Sequence, residues 1–202
     1  IIAISFIKDY KRADNTFFFT VSLFFILLIV ARVFRLVVKF YIGEPPIGEP
    51  FEGDAFLFES LFLIMMYVAL FFIYFAIERN ILKKTHFILS LLVCVLCGVA
   101  IINLFFYNIL FYVAMILFVI TIAGLPLIFL SLGIKTSGAL KKNSFIVAIG
   151  AIVAELGMAF DVPEGFVIWA ELGVLDLFKI LAPILQVIGL VLIRRGFAKM
   201  PE

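Results

Sequence analysis

Long, uninterrupted runs of apolar residues recur along this sequence and are the feature that most limits how it can fold. Six such runs follow one another, and each is close to the roughly 20 residues that an α-helix needs to cross a hydrocarbon core of about 30 Å. The runs are continuously apolar and do not alternate with polar residues, which argues against the strands of a membrane barrel. The sequence therefore predicts an all-α, polytopic transmembrane helix bundle.

Composition supports one membrane-embedded domain over residues 1–202. The chain is 66% hydrophobic and 15% charged, whereas soluble domains are about 45–50% apolar and about 25% charged. Its basic residues are scattered at the ends of the apolar runs and form no patch of the kind that binds nucleic acid. The expected partner is therefore the lipid bilayer, and no nucleic acid is expected.

The span boundaries follow from the polar and helix-breaking residues between the runs. We expect spans at about residues 16–41, 55–82, 86–106, 109–133, 143–160 and 166–195. Residues 1–7 are apolar and run directly into Lys8, so we interpret them as the remnant of a preceding span. The six spans would then be the C-terminal six of a seven-helix protein. Glu78 and Arg79, at the end of the second span, are interpreted as an interfacial anchor.

The charges of the links predict the orientation in a cell membrane. Short links make consecutive helices antiparallel, so the links lie on alternate sides. One side carries the basic residues, namely Lys8, Lys11, Arg12, Arg79, Lys83, Lys84, Lys135, Lys141, Lys142, Arg194, Arg195 and Lys199. The other side carries the acidic residues Glu44, Glu49, Glu52, Asp54, Asp161 and Glu164. Short loops rich in Lys and Arg stay cytoplasmic, which predicts a cytoplasmic C-terminus and acidic loops outside.

Ionisable side chains inside the spans are the candidate functional residues. Each costs at least about 2.5–3.5 kcal/mol at mid-bilayer, so such groups usually face the bundle interior and pair. The first span carries Arg32, Arg35 and Lys39 on one helical face, because three and four residues separate them. The later spans add Glu59, Glu155, Glu171, Asp176 and Lys179.

By helical rise, all of these groups fall in the outer half of the bilayer. We therefore hypothesise an outward-facing pocket for a small ligand or ion, in which cations and anions face each other. Its proposed residues are Arg32, Arg35, Glu59, Glu155, Glu171, Asp176 and Lys179. The alternative is a network of ion pairs that only stabilises the bundle.

Two prolines and one set of small residues affect helix geometry. Pro126 and Pro183 each lack the N–H that a helix interior uses, so both are candidate kinks or hinges. Gly150 and Ala154 form a small-xxx-small pair in the fifth span. This pattern predicts a close helix contact, either within the fold or between protomers of a homo-oligomer.

Catalytic, metal and cofactor patterns do not emerge from the sequence. It contains no nucleophile elbow, no phosphate-binding loop and no second histidine beside His86. Cys94 and Cys97 share a helical face but lack two further metal ligands. We therefore expect no catalytic residues, metal site or cofactor, and the sequence argues against an enzyme. Three functions remain open: a sensor or receptor-like module, a secondary transporter or ion-coupled carrier, and a structural or accessory membrane subunit.

Overall fold

Seven α-helices form the described part of the chain. The computed structural model describes residues 1–13, 15–43, 51–82, 85–105, 109–161 and 175–199. Its helices are α1 (Ile2–Ala13), α2 (Thr16–Val37), α3 (Gly53–Asn80), α4 (Ile88–Asn103), α5 (Ile109–Lys135), α6 (Gly138–Ala159) and α7 (Leu175–Phe197). A π-helical turn, Val38–Ile42, continues α2. These residues contain no strand, which confirms the predicted all-α class.

Five of the described helices are long and apolar enough to cross a membrane. The qualifying segments are Thr16–Ile42, Gly53–Asn80, Val113–Lys135, Gly138–Ala159 and Ile180–Phe197. Large apolar side chains also point outward from them, with Ile120 and Leu127 exposed by 62% and 65%. Exposed apolar surface of this extent suits contact with lipid and is rare in soluble monomers. The fold is thus compatible with a multi-pass membrane protein.

Helix α4 is the exception among the predicted spans. It has 16 residues, which gives a length of about 24 Å at 1.5 Å per residue. The predicted boundaries of 86–106 were too wide, because His86 and Phe87 have positive φ angles of 48° and 62°. This left-handed backbone delays the start of the helix to Ile88. The sixth membrane crossing therefore stays a prediction.

The chain divides into two compact units, and the first comprises Ile1–Val119. Its α1 packs on α2, where the Phe6 ring stacks on those of Phe25 and Phe18 at centroid distances of 5.6 and 6.2 Å. This helix does not end at residue 7 as the apolar run suggested, but continues through the charged residues to Ala13. Phe6 is fully buried, so the aromatic contact fixes α1 on α2.

The second unit comprises Ile120–Glu202 and is built around a close contact between α6 and α7. Helix α6 begins at Gly138, five residues before the predicted start at Asn143. Lys141 and Lys142 interrupt the apolar run within its first two turns, which moved the predicted start beyond them. The first described residue of α7 is Leu175, and residues 166–174 of the predicted sixth span lie outside the described residues.

Candidate functional site

A buried ion pair joins α2 to α3 in the first unit. Arg35 Nη1 lies 2.9 Å from Glu59 Oε2, and the two side chains are only 6% and 5% exposed. The guanidinium therefore donates a charge-assisted hydrogen bond to the carboxylate in a desolvated setting. The expectation that oppositely charged groups in the spans face each other is confirmed for these two residues.

The position of Arg35 follows from the helical spacing of the α2 cations. Arg35 is buried and Arg32 and Lys39 are partly buried, whereas Val33 and Leu36 are 52% and 47% exposed. The three cations thus share the more buried face of α2 and its π-helical extension, as their spacing predicted. Glu59 lies six residues after the start of α3, about 9 Å along the helix axis.

Glu155 occupies a different environment in the second unit. Its side chain is partly buried on α6, and its Oε1 atom is buried without a hydrogen-bond partner among the described residues. The residue lies four positions before the end of α6 at Ala159, about 6 Å along the helix. An ionised carboxylate is costly in such a place unless a proton, a cation or a donor satisfies it.

Small residues beside Glu155 bring α6 and α7 together. A Cβ added to Gly157 would lie 2.7 Å from the carbonyl oxygen of Ala182, and one added to Gly150 would lie 2.8 Å from that of Gly189. These distances leave no room for a side chain, so the two backbones are in contact. The close contact predicted from Gly150 and Ala154 is confirmed, and it forms within the fold.

Gln186 adds a polar contact to this interface. Its Nε2 atom donates a hydrogen bond of 2.9 Å to the carbonyl oxygen of Gly157. Sequence reasoning missed this residue, although Gln186 is the only glutamine of the chain and lies within an apolar run. An isolated amide in such a run could have predicted a hydrogen bond between helices, since polar side chains within membrane helices commonly bond to a neighbouring helix.

The remaining candidates of the predicted pocket lie in or near α7. Asp176 and Lys179 belong to its first described turns, but their side chains lie outside the described part. Glu171 lies outside the described residues altogether. The cross-pairing of these three groups with Arg32 or Glu155 therefore stays a prediction, and so does the outward-facing pocket.

Both predicted hinge prolines lie inside continuous helices. Pro126 is within α5 and Pro183 within α7. Pro183 cannot donate to the carbonyl of Lys179, one turn earlier, so this oxygen lacks its usual helical partner. The interface residue Ala182 directly precedes Pro183, which puts the weakened turn beside the contact with Gly157. Hinge motion at either proline stays a prediction.

A second buried carboxylate, Glu78, has a structural role that the sequence reasoning did not predict. It is 2% exposed and accepts hydrogen bonds from the backbone nitrogens of Leu89 and Ser90, at 3.0 and 2.8 Å, and from Ser90 Oγ. Leu89 and Ser90 lie in the first turn of α4, so Glu78 caps that helix from the end of α3. The interpretation of Glu78 as an interfacial anchor was wrong, because its carboxylate points into the helix junction.

The described residues offer limited chemistry beyond ion pairing and proton binding. No three of their His, Cys, Asp and Glu side chains are grouped so that they could hold a metal ion. The described cysteines are unpaired thiols on α4, with Cys94 exposed and Cys97 partly buried. Glu155 is therefore the described group best suited to bind a proton or a small cation.

Comparison with protein-family models, with curated proteins and with solved structures found no match to this chain. The helix content and the helix lengths directly support an all-α protein that is compatible with a multi-pass membrane protein.

Proposed function

We propose that this chain is a sensor or receptor-like membrane module in which Glu155 binds a proton or a small ligand from the outer side. The observation that carries the proposal is the buried Oε1 atom of Glu155, which has no hydrogen-bond partner among the described residues. Ionisable groups inside membrane helices commonly mark ligand or proton sites. Proton binding is the simplest case, because it neutralises the carboxylate without further ligands.

The contrast with Glu59 supports the choice of Glu155. Glu59 is 4% exposed and its carboxylate is engaged by Arg35. A ligand at Glu59 would have to displace a buried guanidinium from its carboxylate, which is strongly unfavourable. We therefore assign Arg35 and Glu59 to a fixed structural pair, and Glu155 to binding. In this proposal Asp176 and Lys179 complete the site.

The turn at Pro183 supplies a route from binding to a structural response. Its missing hydrogen bond makes the outer part of α7 easier to bend than a regular helix. Gly157 contacts the backbone of Ala182, which directly precedes Pro183. Glu155 lies only two residues before Gly157, so a change of its charge acts close to this turn. The proposed response is a movement of residues 175–182 relative to α6.

Proton binding at Glu155 can be tested with a membrane-permeant carbodiimide, which modifies protonated carboxyl groups. The whole protein in phosphatidylcholine vesicles is treated between pH 5 and pH 9, and modified peptides are quantified by mass spectrometry. We expect modification of Glu155 that increases as the pH falls, and no modification of Glu59, which serves as the internal control. Equal modification of the two glutamates, or none of Glu155, would contradict the proposal.

The structural response can be tested with spin labels on exposed positions of the two helices. The labels are attached to Ile152→Cys on α6 and Ile180→Cys on α7, because these positions are 39% and 62% exposed. Cys94 and Cys97 are first replaced by serine so that they are not labelled. Pulsed electron paramagnetic resonance should give a distance distribution that differs between pH 5 and pH 8. The difference should vanish in Glu155→Gln and shrink in Pro183→Ala. A pH-independent distribution in the otherwise unchanged protein would argue against sensing.

A structural or accessory subunit is the second candidate, and a specific observation favours it. Both Glu59 and Glu78 are buried and satisfied within the first unit, as expected of groups that only stabilise a fold. This alternative predicts no pH response at Glu155. A transporter would instead show Glu155-dependent proton flux in the same vesicles, so a flux assay separates it from the other two.

A further inference from the structure

The second unit carries a strongly basic end. Helix α5 ends there, α6 begins there and α7 ends there. The cations at this end are Lys135, Lys141, Lys142, Arg194, Arg195 and Lys199. Lys141, Lys142, Arg195 and Lys199 are all exposed. Four exposed cations, from α6, from α7 and from the turn that follows α7, make this end a charged surface and not a set of isolated residues.

Contacts between the helices hold these cations together. Asn143 donates a hydrogen bond from Nδ2 to the carbonyl oxygen of Lys199. A Cβ added to Gly196 would lie 3.0 Å from the carbonyl oxygen of Asn143, so the first turns of α6 touch the last turns of α7. Lys142 and Arg195 directly adjoin this contact in sequence. The tight packing of α6 on α7 therefore concentrates positive charge.

Acidic residues are absent from this end of the second unit within the described residues. The acidic positions that the structure describes there are Glu155, Asp161 and Asp176, at the opposite ends of α6 and α7. The basic end of the first unit differs, because Asp9 and Glu78 lie among its cations. Among the described residues, no acidic side chain thus offsets the positive charge at this end of the second unit.

Exposed apolar side chains border the same cations. Ile134 precedes Lys135 and is 74% exposed, and Ile149, two turns after Lys142, is 52% exposed. Cations at the edge of a lipid-facing apolar surface lie at the level of the phospholipid headgroups, where long basic side chains extend toward the phosphates. A soluble polyanion would not account for the adjoining apolar surface.

We infer that the basic end of the second unit, formed by Lys141, Lys142, Arg195 and Lys199, binds the anionic headgroups of phospholipids. The headgroup phosphates would contact the exposed ammonium and guanidinium groups, and the acyl chains would lie along the apolar faces of α5 and α6. The interaction is electrostatic and therefore salt-dependent. It is independent of Glu155 and of the proposed sensing function.

Native mass spectrometry tests this inference. The whole protein is mixed with lipid in micelles and released in the spectrometer, and the fraction of protein that retains bound lipid is measured. The probes are phosphatidylglycerol, which is anionic, and phosphatidylcholine, which is zwitterionic. Lys141→Gln/Lys142→Gln should weaken retention of phosphatidylglycerol about fivefold for each cation removed, and should leave phosphatidylcholine unaffected. Raising the salt from 0.15 to 1 M shortens the Debye length from about 8 to about 3 Å and should also release phosphatidylglycerol.

The matched control removes two exposed cations from the first unit. Lys8→Gln/Lys11→Gln changes the net charge by the same amount, yet should leave most of the phosphatidylglycerol bound. Equal losses in the two variants would mean that only net charge matters and would overturn the inference, as would no loss in either. Circular dichroism confirms that each variant is folded, and Arg195→Gln/Lys199→Gln provides a second pair with the same expected loss.

Discussion

The α2–α3 pair of the first unit and the α6–α7 pair of the second are held together in opposite ways. Helices α2 and α3 meet through large side chains and the buried ion pair of Arg35 and Glu59. Helices α6 and α7 meet through glycine and alanine, with backbone atoms in contact at Gly150 and Gly189. Each pair carries a glutamate, Glu59 or Glu155, in a helix that is long and apolar enough to cross a membrane. The first glutamate has a cation beside it, and the second has no partner among the described residues.

This difference shows how packing decides what a buried carboxylate can do. Large side chains leave space between two helices, and a long arginine can fill that space and reach an acid on its neighbour. Backbone contact leaves no such space, so a glutamate beside it must find its partner elsewhere. Glu59 is thereby held in an ion pair that joins two helices, whereas no described side chain occupies Oε1 of Glu155.

Removing one partner of the Arg35–Glu59 pair should have the largest effect on stability. Glu59→Gln removes the carboxylate that accepts from the buried Arg35 guanidinium and should lower the free energy of unfolding by about 3–5 kcal/mol. Arg35→Met should have a similar effect, and the double variant should lose less than the sum of the two. Unfolding by a denaturing detergent in mixed micelles measures all three. Strictly additive losses would mean that the two residues do not stabilise each other.

Adding a side chain at the α6–α7 contact should have the next largest effect on stability. In Gly189→Ala the new Cβ would lie 2.5 Å from the carbonyl oxygen of Gly150 and closer still to the backbone nitrogen of Ala154. Backbone atoms cannot rotate away, so we expect a loss of about 3 kcal/mol, at the upper end for overpacking. Gly98→Ala is the control, because no atom lies within 4 Å of its added Cβ. It should be neutral or slightly stabilising, and comparable losses in both variants would refute the close contact.

Glu78→Gln should have an intermediate effect on the first unit. The single amide oxygen can accept from Leu89 or from Ser90 but not from both, and the negative charge facing the backbone N–H groups is lost. We expect a loss of about 1.5 kcal/mol, the lower end for a hydrogen bond to a charged group. Hydrogen exchange of the Leu89 and Ser90 amides gives a local measurement. Unchanged exchange at these two amides would rule out the capping role.

Glu155→Gln should have the smallest effect, and it gives the sharpest test of the comparison. The variant loses no hydrogen-bond partner among the described residues. It also removes the cost of burying the ionised form of the Glu155 carboxylate. We expect the free energy of unfolding to stay the same or to increase by less than about 1 kcal/mol at neutral pH. A loss as large as that of Glu59→Gln, in the same detergent titration, would show that Glu155 is also paired.

The shared face of the α2 cations and the close helix contact could both be predicted from local spacing. Arg32, Arg35 and Lys39 repeat every three or four residues, which fixes their common face whatever the helix packs against. The small residues Gly150 and Ala154 permit close approach for an equally local reason. Gln186 was missed because a single amide does not reveal which carbonyl it will meet. Glu78 was misread because its partners belong to the next helix, and sequence spacing does not give their direction.

By itself the sequence determined that the chain is helical and has runs apolar enough to cross a membrane, because such runs can satisfy their backbone groups in lipid only as helices. It also determined which positions carry charge into the spans. Only the tertiary structure decided that Arg35 bonds to Glu59, that Glu78 caps α4 and that α7 is the helix contacting Gly150. The physical reason is that helical periodicity sets the face on which a side chain lies, while its partner depends on how neighbouring helices approach and rotate.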